Sequence, residues 1–321
     1  MLTNTYPLLE NRNDVWLKSY IWEDTPQLLA GKMRPAVIIC PGGGYLQVGD
    51  NEGEPTALKF ASMGYHAFVL HYSSYNVSFE DFFGLFSTLD GTKEHADAFL
   101  KKYPPRQENF YPMPMLDIGR AFLLIREHCQ EWHVDMDKIA LCGFSAGAHN
   151  CAMYCTHWQE SILSEALHCK SEDIRPAALL LGYTISDYGV MNAQRKNCPA
   201  ATAEFFDIAN TLFTGTALPE GELAEKISPA RHVTGHMPPT FLWSVADDAL
   251  VPVQNTLYMA LKLSEQGIPF EVHVFEHGAH GIGLGTQASA SFRGQVFEDA
   301  GKWSDLAEKW LQKRFALPLS E

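Results

Sequence analysis

No stretch of the 321-residue chain approaches the roughly twenty consecutive apolar residues that a membrane-spanning helix needs. Nothing near Met1-Leu2-Thr3-Asn4-Thr5 joins a positive start to an apolar core, so no secretory signal is visible. The expectation is a soluble, cytoplasmic protein, unless processing has removed a leader. Positive charge is also scarce: 24 Lys and Arg against 38 Asp and Glu leave a net charge of −14. That balance repels phosphate backbones and anionic lipid surfaces, so neither nucleic acid nor membrane is an expected partner, and a neutral small molecule suits the chain better than a polyanion. Internal repeats and low-complexity runs are missing too. Cysteine occurs seven times but never as Cys-x-x-Cys. Cys40 and Cys142 fall at strand ends, and Cys151 and Cys155 lie one helical turn apart. An odd set in mostly apolar surroundings reads as reduced, buried thiols. A zinc site on Cys151 and Cys155 needs two further ligands at suitable spacing, and the sequence offers none.

What the chain does have is apolar mass. At 46% hydrophobic residues it can bury a large core, and its length suits one α/β domain with insertions. The stretch around which it is organised is Lys138-Ile139-Ala140-Leu141-Cys142-Gly143-Phe144-Ser145-Ala146-Gly147-Ala148. A buried strand that ends in Gly-x-Ser-x-Gly and runs into a helix, here Ala146 to about His157, is a nucleophile elbow: Ser145 sits on a strained turn with its hydroxyl presented. Gly143 and Gly147, without Cβ atoms, let the chain fold back and the helix pack close. The helix start leaves free N–H groups, that of Ala146 first, aimed where an ester oxygen turns negative. The five-residue motif alone arises by chance roughly once in ten chains of this size. Its weight therefore comes from context.

The context begins at Val15–Trp22, which alternates like a strand, and at the continuous apolar run Ala36–Cys40, which reads as a central one. That run stops at Pro41-Gly42-Gly43-Gly44-Tyr45, whose glycines let backbone N–H groups approach a ligand; it reads as the second half of an oxyanion hole, with a plain glycine turn as the alternative. Asn51-Glu52-Gly53-Glu54-Pro55 has the acidic residues and proline of a helix start, giving a helix from about Pro55 to Met63. The strand Tyr65–His71 follows, and its His66 and His71 read as structural. Strand, glycine loop, helix and strand make a βαβ unit with parallel pairing. From Ser73 to about Phe110 clear periodicity is lost while aromatics gather, an insertion that suits either the mouth of a site or a subunit contact in a homo-oligomer. Met115–His128 reads as an amphipathic helix and Ala177–Leu181 as a strand. Ser186 to about Pro239 is long and irregular, in a place that suits a lid. Leu242–Ala246, Thr256–Gln266, Phe270–Phe275 and Lys302–Phe315 then read as strand, helix, strand and helix.

A serine hydroxyl needs a base to take its proton and a carboxylate to orient that base. In an elbow-bearing fold they follow in the order Ser, Asp or Glu, His. Asp247 and Asp248 come directly after the strand Leu242–Ala246, and His277 and His280 come after the last strand. Asp248 is preferred, with Asp247 capping the turn. His280 is preferred because it stands in a glycine-bearing loop free to reach the serine. His149, just beyond the elbow, is the other histidine near the site, and its helix position turns it aside.

Three motifs resemble one branch of the α/β-hydrolases, the acetyl-esterase and xylan-esterase-like carbohydrate esterases, also called the feruloyl-esterase-like group. They are Pro41-Gly42-Gly43-Gly44-Tyr45, Gly143-Phe144-Ser145-Ala146-Gly147, and Asp248-Ala249-Leu250-Val251-Pro252 with His280-Gly281. The likeness extends through Asn51–Pro55, Pro238-Pro239-Thr240 and Phe275–Leu284. Hormone-sensitive-lipase relatives usually carry His before the glycine trio, a place that Pro41 takes here. The resemblance implies an α/β-hydrolase fold, a mostly parallel sheet with helices on both faces, as one domain over 1–321 with insertions at about 73–110 and 186–239. It implies Ser145 as nucleophile, His280 as base, Asp248 as its orienter, and the N–H groups of Ala146 and of Gly43 or Gly44 as oxyanion donors, with no cofactor or metal. Two features depart from the branch: Ala148 stands where relatives commonly have glycine, and the first insertion is longer than expected. The expected activity is serine carboxylic-ester hydrolysis through an acyl-enzyme, and the resemblance alone points to acetyl groups on sugars or oligosaccharides. A peptidase or amidase on the same triad, a binding module with a silent triad, and a metallohydrolase on His273, His277 and His280 are the competing readings.

Overall fold

The computed structural model describes residues 1–317 and 319. Eight strands form one sheet: β1 (Thr5–Leu9), β2 (Arg12–Tyr20), β3 (Arg34–Cys40), β4 (His66–His71), β5 (Val134–Phe144), β6 (Ala178–Gly182), β7 (Thr240–Val245) and β8 (Phe270–Phe275). Their spatial order is β1-β2-β4-β3-β5-β6-β7-β8. The hairpin β1–β2 and the β2–β4 pair are antiparallel, and every other pair is parallel. The helices are α1 (Asp50–Ser62), α2 (Phe79–Thr88), α3 (Lys93–Lys102), α4 (Met113–His128), α5 (Ala146–His157), α6 (Ser161–Leu167), α7 (Tyr188–Asn197), α8 (Ala200–Thr214), α9 (Gly221–Lys226), α10 (Gln254–Glu265), α11 (Glu298–Gly301) and α12 (Trp303–Gln312).

The period-2 alternation of side chains splits each central strand between two cores. Ala36, Ile38 and Cys40 of β3 and Ile139 and Leu141 of β5 face a layer that holds Ile118, Phe122, Cys151, Cys155 and Met259 of α4, α5 and α10. Val37, Ile39, Ala140, Cys142 and Phe144 face the opposite layer, where Phe60 of α1 meets Trp303 and Trp310 of α12. Both faces are covered, so β3 is buried along all seven residues and from Ala36 to Cys40 reads as unbroken apolar sequence.

The structure shifts several boundaries and corrects two expectations. Helix α1 starts at Asp50, so Pro55 lies inside it rather than at its start. The missing proline N–H leaves the Asn51 carbonyl without its helical partner. That oxygen faces Gly283, where a Cβ would come within 3.0 Å of it. The segment 73–110 is not aperiodic: it holds α2 and α3, each ten residues long. Their signal was capping rather than periodicity, since Ser78 accepts from the Asp81 N–H at 3.1 Å and Thr92 from the His95 N–H at 3.2 Å. The segment 186–239, expected to be irregular, likewise carries α7, α8 and α9. The two segments pack on each other. Tyr75, Val77, Leu85 and Ala96 from the first join Met191, Phe205, Phe206, Ile208 and Leu212 from the second in a third apolar cluster, which also takes in Leu46 and Val251.

Candidate active site

Strand β5 delivers Ser145 into a sharp turn, at φ 50° and ψ −121°, a conformation that L-residues rarely adopt. Surrounding bonds hold it there. The Ser145 N–H donates to the Gly182 carbonyl at 3.0 Å, and the Ser145 carbonyl accepts from the His149 N–H at 2.9 Å. Helix α5 can follow so closely only because position 147 has no side chain: a Cβ there would lie 2.0 Å from the Cys40 carbonyl oxygen. All twelve residues of α5 are buried, and Ser145 keeps 9% of its surface exposed.

Two neighbouring parallel strands, β7 and β8, end beside this turn and carry the candidate acid and base. His280 Nε2 lies 2.8 Å from Ser145 Oγ, and His280 Nδ1 lies 2.8 Å from Asp248 Oδ2. The other Asp248 oxygen accepts the N–H groups of Leu250 and Val251, both at 2.9 Å, so backbone fixes the carboxylate before the imidazole meets it. The alternative pair is elsewhere. His277 and Asp247 face each other at 3.0 Å with 73% and 48% of their side-chain surface exposed. The turn-capping expected of Asp247 after its own strand is done by Asp248; Asp247 instead accepts the Gly278 N–H at 2.9 Å. Burial by itself would depress the His280 pKa, but the Asp248 carboxylate, its hydrogen bond and the charge of Glu52 outweigh burial and raise it above the ordinary 6.5.

The glycine loop closes the site from β3. Gly43 and Gly44 take φ values of 129° and 62°, open to residues without a Cβ. The Gly42 N–H is spent on the Glu52 carboxylate at 2.6 Å. Among the described residues no hydrogen bond takes up the N–H groups of Gly43, Gly44 or Ala146. The segment 186–239 reaches this loop: the Phe205 ring stands 3.0 Å from where a Cβ on Gly44 would be. Next in the chain, Tyr45 stacks on Phe213 at 4.0 Å and donates its hydroxyl to His149 Nδ1 at 2.7 Å. His149 Nε2 donates to the Ile227 carbonyl at 2.8 Å, so this imidazole is turned from the serine and braces the loop. Burial lowers its pKa to about 4, which keeps it neutral.

Sequence reasoning did not single out Glu52 or Tyr183. Glu52 is 3% exposed and Tyr183 fully buried. The signal for Glu52 was its spacing: it precedes the buried Thr56 and Phe60 by four and eight residues on one helix face. Tyr183 follows β6 and carried no signal beyond being aromatic.

The three histidines of the metallohydrolase reading have separate partners. His273 Nε2 lies 2.9 Å from Glu271, His277 pairs with Asp247, and His280 with Asp248 and Ser145. The described residues with metal-ligand geometry are Asp90, His95 and Glu204, whose donor atoms lie within 4.8 Å of one another. Both Glu204 oxygens are already engaged, one by His95 Nδ1 and the other by the N–H groups of Asp90 and Gly91 at 3.1 and 2.7 Å. The group ties α8 to the loop before α3.

The chain is similar to proteins of known character. Endo-1,4-beta-xylanase B of Butyrivibrio fibrisolvens is 28% identical over 78% of this chain and 32% of that protein. The acetylxylan esterase of Xylanibacter ruminicola is 24% identical over 60% of this chain and 35% of that protein. The chain thus spans about a third of the length of these two relatives. The crystal structure of an acetyl ester-xyloside bifunctional hydrolase from Caldicellulosiruptor lactoaceticus superposes with a TM-score of 0.69 at 28% identity, covering 97% of this chain and 96% of that one. The sequence profile of the BD-FAE family matches residues 98–263, from α3 through most of α10 and including Ser145 and Asp248. With more than half of its length in that match and the sheet described above, the chain belongs to the BD-FAE family of α/β-hydrolases.

Proposed function

We propose that the protein is a serine carboxylic-ester hydrolase, built as one α/β-hydrolase domain whose segments at about 73–110 and 186–239 form the cap, and that it removes acetyl groups from saccharides through an acyl-enzyme. The observation that carries this reading is the unbroken chain of 2.8 Å contacts from Ser145 Oγ through His280 to Asp248, next to backbone N–H groups with no acceptor among the described residues. His280 Nε2 takes the hydroxyl proton as Ser145 Oγ bonds to the ester carbon. The carbonyl oxygen becomes an oxyanion facing the N–H groups of Ala146 and of Gly43 or Gly44. As the carbon–oxygen bond to the leaving alcohol breaks, His280 returns the proton to that alcohol and the acyl group stays on Ser145. Water then attacks the acyl carbon as His280 accepts its proton, the bond to Ser145 Oγ breaks, and His280 returns that proton to Oγ as the acid leaves. Asp248 holds the ring in the tautomer that presents Nε2 to the serine and supports the imidazolium.

The acetyl saccharide rests on the names of relatives, an acetylxylan esterase and an acetyl ester-xyloside hydrolase. The net charge of −14 agrees with a neutral substrate. Ser145→Ala is expected to abolish turnover of p-nitrophenyl acetate and labelling by a fluorophosphonate while the circular dichroism spectrum stays that of the parent. Undiminished turnover in that variant removes the assignment. A screen of acetyl, butyryl and feruloyl esters beside acetylated xylo-oligosaccharides is expected to favour the last.

A further inference from the structure

Four segments distant in sequence meet at one buried carboxylate. Glu52, in the first turn of α1, accepts the Gly42 N–H on one oxygen at 2.6 Å and the Tyr183 hydroxyl on the other. That hydroxyl accepts the Gly283 N–H at 3.1 Å, three residues past His280. The Tyr183 ring lies edge-on to the His280 ring, centroids 4.9 Å apart. From the same turn of α1, the Asn51 side-chain amide donates to the Gly281 carbonyl at 3.0 Å. The glycine loop and the histidine loop are therefore both fastened to α1. Gly42 is the crossing point: a Cβ there would stand 2.8 Å from Ser145 Cβ and 2.9 Å from a Glu52 oxygen.

We infer that Glu52 is a positioning residue of this site, holding the oxyanion loop and the His280 loop in one arrangement and opposing with its negative charge the positive charge that His280 takes on. The inference rests on the hydrolase reading for the reaction it serves. A carboxylate 3% exposed is costly to bury unless hydrogen bonds or an opposite charge offset its lost hydration. Here two donors hold it, and no Lys or Arg side chain is bonded to it among the described residues. Burial raises the Glu52 pKa, while the Tyr183 and Gly42 hydrogen bonds and a positive His280 favour its charged form; the titratable groups around it are Tyr183, His280, Tyr72 and Cys142. Of these, Tyr72, Tyr183 and Cys142 are pushed by burial well above their ordinary ranges and stay neutral, which leaves His280 as the group able to become positive. His280 in turn faces Asp248, Glu52, Tyr183 and Ser145. The arrangement also assigns the oxyanion donors: with the Gly42 N–H committed to Glu52, those of Gly43 and Gly44 are left for the substrate.

The test compares the intact parent with Glu52→Gln, Glu52→Asp and Tyr183→Phe, using two readouts: the NMR titration of the His280 imidazole, and kcat and KM for p-nitrophenyl acetate across pH. Glu52→Gln keeps an acceptor for Gly42 but no charge. It is expected to lower the His280 midpoint, with kcat down roughly tenfold and KM changed less than about twofold. Glu52→Asp keeps the charge but not the reach, and is expected to retain the midpoint while losing rate. A Glu52→Gln protein whose His280 titrates as in the parent overturns the inference whatever its activity. Should Glu52→Gln fail to fold, Tyr183→Phe, which cuts the tie to Gly283 and leaves the ring against His280, decides: an unchanged kcat overturns the inference and a fall of about fivefold or more supports it. If the parent itself fails to hydrolyse esters, the hydrolase reading falls, and the His280 titrations still decide what Glu52 does.

Discussion

An imidazole that is to accept the serine proton must first be neutral. Because Asp248 and Glu52 outweigh burial and lift the His280 pKa above 6.5, the share of competent base shrinks as pH falls through that raised value. The rate profile kcat/KM is therefore expected to decline on the acid side with a midpoint above 6.5; a midpoint below it contradicts the electrostatics described. Asp248 has two tasks that one substitution separates. Asp248→Asn can still accept the Leu250 and Val251 N–H groups, but its amide nitrogen confronts His280 Nδ1 and favours the wrong tautomer. A fall in kcat of roughly ten-thousandfold is expected, the size seen for this change in serine protease triads, with the urea midpoint nearly kept.

Elements matter here through where their ends fall. Strands β5, β7 and β8 run parallel, so their carboxyl ends gather Ser145, Asp248 and His280 at one edge of the sheet. Helix α8 reaches the same edge from the cap: Phe205 stands against Gly44 and lies 4.9 Å from the Phe86 ring of α2. Removing that ring in Phe205→Ala takes away the wall behind the oxyanion loop and leaves a cavity among Phe86, Phe206 and Leu46. The expected cost is about 3 kcal/mol of unfolding free energy, read as a lowered urea midpoint, together with reduced kcat. A variant with parent kcat separates the cap from the oxyanion loop.

Across the whole molecule, buried neutral histidines set the acid limit of stability. Burial holds His66 and His149 near a pKa of about 4, whereas the unfolded chain protonates each near 6.5. Between those values the unfolded state binds more protons, so stability is fully present above 6.5 and is lost as pH falls towards 4, with no further loss from these two groups below it. Each contributes at most about 3 kcal/mol over that window. Urea midpoints measured at pH 7, 5.5 and 4.5 are expected to descend in that order, and His149→Gln is expected to flatten the descent. Equal midpoints at all three values refute the account.

The sequence by itself determined what period and local chemistry encode. A short continuous apolar run bounded by turn residues reads as a central strand, so β3 and the second half of β5 were legible to within a residue or two. A serine between glycines at a strand end is likewise local, as are Asp248 in its turn and His280 in its glycine-bearing loop. Tertiary structure decided everything that depends on a partner far along the chain. Ten-residue helices such as α2 and α3 are marginal alone and are stabilised by packing on α8, which no window of sequence contains. Whether Asp247 or Asp248 meets a histidine beside the serine turns on how the turn after β7 folds back and lies against the loop after β8, which neither segment shows alone. Glu52 reads in sequence as an ordinary acidic residue near a helix start, favoured there by the helix dipole. Only the fold buries it between Gly42 and Tyr183, because the two donors that offset the desolvation of its carboxylate come from separate loops, the second of them tied in turn to Gly283.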